Sequence, residues 1–188
     1  MSDQLTVEII RGNFEPEIEK ASQQKFADCY QCGKCSAGCP MVGYMDIMPS
    51  QIMRMVQVGQ REKALGCRTI WLCASCETCT TRCPKDIDIA RVMDTLREIS
   101  LKSGRVHPDA GDITVFHRVF LKMIELTGRL FEAGVVGAYK FLRPGHVFDD
   151  MAAGIKMGVQ GKLSPLPHSI KNKKEIKRIF KICMERKD

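Results

Sequence analysis

Eight of the ten cysteines in this 188-residue chain stand in two copies of one pattern, CYQCGKCSAGCPM at 29–41 and CASCETCTTRCPK at 73–85, set 44 residues apart. Each copy reads C-x2-C-x2-C-x3-C-P. This spacing constrains the fold more than any other feature. Three thiols spaced by two residues on a short loop turn inward together with the loop's own backbone amides, a shape that wraps one corner of a 4Fe-4S cubane. The fourth cysteine, directly before proline, points elsewhere, and in two-cluster arrangements of this spacing it serves the other cluster. The expected ligand sets are therefore Cys29, Cys32, Cys35 and Cys83 for one cluster, and Cys73, Cys76, Cys79 and Cys39 for the second. Pro40 and Pro84 then redirect the chain after each donated ligand.

Other uses of the cysteines fit less well. Zinc ribbons bring together two C-x2-C knuckles across a longer span, without a third thiol and without the Cys-Pro ending. A radical-generating cluster needs an open iron, and both runs supply full sets. Disulfides are opposed by a reducing compartment, which the opening MSDQLTVEIIRGNFEPEIEK suggests: it carries early acids and lacks the apolar core of a secretory signal. A cytoplasmic chain with no membrane span is expected, since no run of eighteen uncharged apolar residues occurs.

Lys and Arg outnumber Asp and Glu by 29 to 22, for a formal charge of +7 with every cysteine neutral. Eight thiolates around two oxidised cubane cores of about +2 each bring this to roughly +3. Much of the apparent basicity is counter-charge to the cofactor. The basic tail KNKKEIKRIFK is accompanied by few aromatics, which argues against nucleic acid and favours a solvated or docking helix.

Periodicity predicts helices around the runs. Between them, Pro49 opens a helix carrying Ile52, Met53 and Val56 that loosens at Gly59; after them, Ile89, Val92, Met93, Leu96 and Ile99 mark a helix ending before Gly104. An all-α, ferredoxin-like double-cubane domain with a C-terminal helical extension follows, divided as an N-terminal segment 1–28, a two-cluster domain 29–104 and an extension and docking arm 105–188. In the extension, Phe116, Val119, Phe120, Met123 and Leu130 mark a helix, residues 143–167 read as an irregular Gly/Pro-rich arm, and a last basic helix spans about 170–186 with Ile176, Ile179, Phe180 and Cys183 on one face. LTVEII near the start is the one passable strand.

The remaining candidates carry less. Cys67 and Cys183 are expected to be buried, unliganded thiols. His107, His117, His146 and His168 are scattered without ligand spacing. Met41, Met45, Met48, Met53 and Met55 are expected to pack in the core, the alternative being a polarisable shell around the first cluster.

CYQCGKCSAGCPM and WLCASCETCTTRCPKDIDI, with the length and the motif separation, resemble the small iron-sulfur (C-type) subunits of the soluble heterodisulfide reductases of methanogenic archaea. The resemblance implies an oxidoreductase subunit without a substrate site of its own. Its two 4Fe-4S clusters would carry electrons from a flavin-containing A-type subunit to the B-type subunit, which reduces the coenzyme M/coenzyme B heterodisulfide, with a hydrogenase or formate dehydrogenase as a further partner. The double motif is shared with iron-sulfur subunits of glycolate oxidase and anaerobic glycerol-3-phosphate dehydrogenase, and a freely diffusing ferredoxin-type carrier is the other class. Neither a G-x-G-x-x-G loop nor a P-loop occurs, so no flavin or nucleotide site is expected here. The hundred or so residues after the clusters favour a fixed subunit over a carrier.

Overall fold

The structure is a computed structural model, and it describes residues 12–143, 151–161, 170 and 172–185. Among the described residues every regular element is helical, and the fold is all-α. The strand candidate at 5–10, with His146 and His168, lies outside the described residues. The chain divides into two compact units, one running to Ala110 and one from Gly111.

In the first unit the first helix among the described residues is α1 (Phe14–Ser22). The first cysteine run carries the short α2 (Lys34–Ala37), and the connection to the second run holds α3 (Pro49–Gln57), α4 (Arg61–Gly66) and α5 (Thr69–Leu72). The second run carries α6 (Thr78–Thr81) and leads into α7 (Ile89–Lys102). Proline at the first position of α3 costs no hydrogen bond, because that N–H has no intrahelical partner in any helix. The break between α3 and α4 falls at Gly59, whose φ of 72° continues a turn that a helix cannot. Asp88 starts α7 by accepting from the Arg91 amide at 2.9 Å.

α7 is the spine of the unit: α1, α4, α5 and α6 all pack on it. Ile18, Phe26, Ile52, Val56, Leu65, Ile70, Val92 and Leu96 are fully buried around it. Each such side chain contributes about 1.5–3 kcal/mol by leaving water. α1 is fastened by Glu17, paired with Arg61, whose guanidinium carbon also stands 5.3 Å from the centre of the Phe14 ring. The described part of the N-terminal segment is thus built into the same unit as the cysteine runs.

The second unit holds α8 (Gly111–Thr127), α9 (Glu132–Leu142), α10 (Met151–Val159) and α11 (Lys173–Glu185). Two of these correct the sequence reading. α9 was not expected because Val135, Val136, Ala138, Phe141 and Leu142 run around the helix and leave no stripe to read. α10 lies where an irregular arm was expected; its two glycines, Gly154 and Gly158, each disfavour a helix by about 1 kcal/mol yet do not prevent one. α8 packs on α9 through Phe116, edge-on to Tyr139 with ring centres 6.0 Å apart, and α11 also packs on α8. Along α11, Ile176 and Phe180 are half-buried, while Ile179, Ile182 and Cys183 are exposed. The expected burial of Cys183 therefore fails, because only one edge of that stripe is covered. No described helix is long and apolar enough to cross a membrane.

Candidate metal centre

The two cysteine runs repeat one backbone shape. Gln31 and Gly33 take left-handed φ of 60° and 76°, and the residues 44 positions on, Ser75 and Glu77, take 47° and 59°. Short helices follow at equivalent places, and the amides of Cys39 and Cys83 close equivalent turns on Ser36 O and Thr80 O at 3.2 and 3.0 Å. Glycine at 33 adopts its turn without penalty; Glu77 does so against a left-handed cost of about 1–2 kcal/mol. α2 and α6 pack on each other, which brings the equivalent residues Gly38 and Arg82 face to face. A Cβ on Gly38 would lie 2.6 Å from Arg82 Cδ, so the arginine crosses where only hydrogen leaves room.

This pairing sorts the thiols into two hollows. The first, about 340 Å³ and open to solvent, is lined by Cys29, Cys32, Cys35 and Cys83, with Gln31, Gly33, Lys34, Ser50, Met53, Ile87 and Ile89. The second, about 400 Å³, is lined by Cys39, Cys73, Cys76 and Cys79, with Pro40, Met41, Met45, Pro49, Ala74, Thr78, Ile89, Ala90 and Met93. Each hollow thus receives three thiols from one run and the fourth from the other. The chain that follows a crossing cysteine crosses with it: Cys39 carries Pro40 and Met41 to the second hollow, and Cys83 leads to Ile87 at the first. Of the five methionines expected in the core, only Met53 is buried there, bordering the first hollow; Met48 is exposed, Met55 is half-buried, and Met41 and Met45 line the second hollow, not the first as the alternative reading had it.

The donor set suits a multi-iron cluster. Each hollow gathers four thiols, the number and the donor type that a 4Fe-4S cubane takes. Burial pushes the Cys35 and Cys79 thiols above the ordinary range, the latter helped by the nearby Cys73 charge. The Thr78 hydroxyl, 3.4 Å from Cys76 Sγ, pulls the Cys76 thiol down. Ligation requires thiolates, so loading the site releases protons.

The hollows are held by different chemistry. Under the first, buried Gln57 donates to Phe26 O at 2.8 Å and Cys29 O at 3.0 Å and accepts from Gln31 Nε2 at 3.1 Å; Ser36 donates to Ser50 Oγ at 2.8 Å. Beside the second, the Arg97 guanidinium donates to Ile70 O and Cys73 O and pairs with Asp94 at 2.8 Å, while Asp94 accepts from Ser75 Oγ at 3.1 Å. Asp88 accepts from Thr80 Oγ1 at 3.2 Å. Sequence reasoning passed over Gln57, although a polar residue beside Ile52, Met53 and Val56 on the buried stripe of α3 was a signal.

The other cysteines stand apart from both hollows. Cys67 is buried, donates to Ala64 O at 3.2 Å, and burial pushes its thiol up to about 11. His107 and His117 line neither hollow; His107 Nδ1 accepts from the Asp109 amide at 3.2 Å.

Residues 25–87 match the family described as the 4Fe-4S dicluster domain. The chain is 31% identical over 104 residues to the C subunit of the H(2):CoB-CoM heterodisulfide,ferredoxin reductase of Methanothermobacter marburgensis, covering 53% of this chain and 56% of that protein. It is 36% identical over 105 residues to the second iron-sulfur C subunit of the CoB-CoM heterodisulfide reductase of Methanocaldococcus jannaschii, covering 52% and 56%. It is 34% identical over 76 residues to the C subunit of the ferredoxin:CoB-CoM heterodisulfide reductase of Methanosarcina acetivorans, covering 40% and 30%. The chain spans about half the length, or less, of these curated relatives. Residues 25–87 are thus similar to 4Fe-4S dicluster domains, and about half of the chain is similar to C subunits of heterodisulfide reductases.

Proposed function

We propose that the chain is the electron-transfer subunit of a heterodisulfide reductase, holding two 4Fe-4S clusters and passing electrons from a flavin-containing A-type subunit to a B-type subunit that reduces the coenzyme M/coenzyme B heterodisulfide. The observation that carries this reading is the sorting of the eight motif thiols into two hollows, each with one full set of four. Bound there, such clusters supply one-electron chemistry over a potential range set by their surroundings. The residues of this chain fix them: Cys29, Cys32, Cys35 and Cys83 hold one, and Cys73, Cys76, Cys79 and Cys39 hold the other. With every motif thiol committed as a ligand, bond cleavage in the disulfide falls to the partner. A hydrogenase or formate dehydrogenase fits as a further partner, since a relative from Methanococcus maripaludis is named for both hydrogen and formate.

Anaerobic purification tests the reading. About eight irons and eight acid-labile sulfides per chain are expected. About two zinc ions per chain without visible absorption would contradict it. The reduced chain alone should release no thiol from the heterodisulfide. Addition of the B-type subunit should start the reaction, and Cys76→Ser should support it poorly. Steady thiol release without the B-type subunit would show a substrate site on this chain.

A further inference from the structure

The two hollows differ in what surrounds their thiols, and one amide is aimed at a sulfur by a chain of bonds that leaves it no alternative. Gln57 uses its side-chain nitrogen to donate to Phe26 O at 2.8 Å and Cys29 O at 3.0 Å. Its oxygen must therefore face the other way, where it accepts from Gln31 Nε2 at 3.1 Å and from Arg54 NH1 at 3.4 Å. Carbonyl acceptors on one side of Gln57 thus dictate the orientation of both amides. Gln31 is left presenting its NH2 group, which also lies 3.4 Å from Cys29 Sγ. The residue equivalent to Gln31 in the second run is Ser75, which turns its hydroxyl away to Asp94. Both linings are largely apolar; at the second set of sulfurs the side-chain donors are two threonine hydroxyls, Thr78 beside Cys76 and Thr80 at Cys79, whereas at the first the Ser36 hydroxyl at Cys35 is joined by the Gln31 amide. The first hollow adds Lys34 and Ser50 to Gln31.

Reduction adds one negative charge to a group that already carries about −2 with its four thiolates. Donors and a cation beside the sulfurs favour that extra charge; Lys34 supplies such a cation at the first hollow, while the Arg97 cation beside the second is offset by its Asp94 partner at 2.8 Å. We propose that the two centres are unequal, the one held by Cys29, Cys32, Cys35 and Cys83 having the higher reduction potential, and that Gln31, oriented by Gln57, is a positioning residue that raises it. The proposal rests on the ligand sets stated above. An electron entering the chain from a strong one-electron reductant then settles first at the Cys29 side; no bond is made or broken, and no proton need move.

The test is a redox titration of the anaerobically purified full chain, followed by electron paramagnetic resonance, with iron counted in each sample. Two one-electron steps are expected, and Cys29→Ser should alter the signal of the upper one. Gln31→Leu should keep about eight irons and lower only the upper step, by up to about tenfold in the ratio of reduced to oxidised centre, which is about 59 mV for one electron. Thr78→Val should lower only the lower step. Lys34→Met changes an exposed side chain and should also lower the upper step, so it decides the matter if Gln31→Leu disturbs folding. An upper step that stays fixed in both Gln31→Leu and Lys34→Met with full iron would overturn the inference, as would a Cys29→Ser change in the lower step. If the wild-type chain itself lacked eight irons, the ligand reading would fall first.

Discussion

The two cysteine loops share a backbone and differ in what holds them. Left-handed residues, short helix and closing turn recur at the 44-residue offset, yet the first loop rests on neutral amides and hydroxyls, and the second is tied by Arg97, Asp94 and Asp88. Cysteine spacing and turn geometry thus fix the shape of a loop, and the helix beneath it fixes its electrostatics. Under the first loop that helix is α3, which supplies Gln57; beside the second it is α7, which supplies Asp94 and Arg97.

Removing the shared support should have the largest effect on stability. Leu96 is fully buried on α7, and Leu96→Ala is expected to cost about 2–5 kcal/mol, seen as a fall in the anaerobic unfolding midpoint. The tethers come next. Gln57→Leu strands Cys29 O, leaves Phe26 O with the Cys29 amide alone, and should cost about 1–3 kcal/mol, with little dependence on salt. Arg97→Met strands Ile70 O and Cys73 O, and its cost should shrink as salt rises, because the Asp94 carboxylate that pairs with Arg97 is 55% exposed. Equal salt dependence in the two variants would erase the distinction between the loops.

Smaller effects follow from the left-handed pair. Gly33→Ala should destabilise by about 1–2 kcal/mol, whereas Glu77→Gly should stabilise by less than about 1 kcal/mol, as relief of the turn slightly exceeds the added chain entropy. The smallest effect is that of Asp46. Its burial favours the protonated form, but hydrogen bonds from the Arg68 amide at 2.9 Å and from the Thr69 hydroxyl and amide at 2.7 and 2.8 Å outweigh it and hold the carboxyl below its ordinary value of 3.8. A lowered carboxylate contributes stability above that ordinary value and loses it as pH falls through the lowered one. Asp46→Asn should therefore be less stable than the parent near neutrality, and the gap should narrow as pH falls through the lowered value, read from unfolding midpoints across that range.

Much of this was legible in the residues. Ligand-type thiols, a break at Gly59, a proline-led α3 and the stripe of α7 are local signals, and local signals survive in sequence. What escaped depended on neighbours distant along the chain. Met41 and Met45 sit at the second hollow because Cys39 crosses and takes its successors with it, a consequence contained in the crossing itself. The burial of Gln57 is signalled by its place on the stripe of α3, but its role is not, because its partners, Phe26, Cys29 and Gln31, lie 26 to 31 residues away. α9 was hidden because a helix apolar on all sides has no period to detect. Arg82 over Gly38 could be read only once the two runs were placed face to face.

The central claim is that each cluster is built by both runs, and electron paramagnetic resonance of three reduced variants tests it most directly. If Cys39 belongs with Cys73, Cys76 and Cys79, then Cys39→Ser and Cys73→Ser should alter the same signal and leave intact the one that Cys29→Ser alters. A Cys39→Ser spectrum that instead matches Cys29→Ser would mean that each run ligates its own cluster, and the crossed arrangement would be wrong.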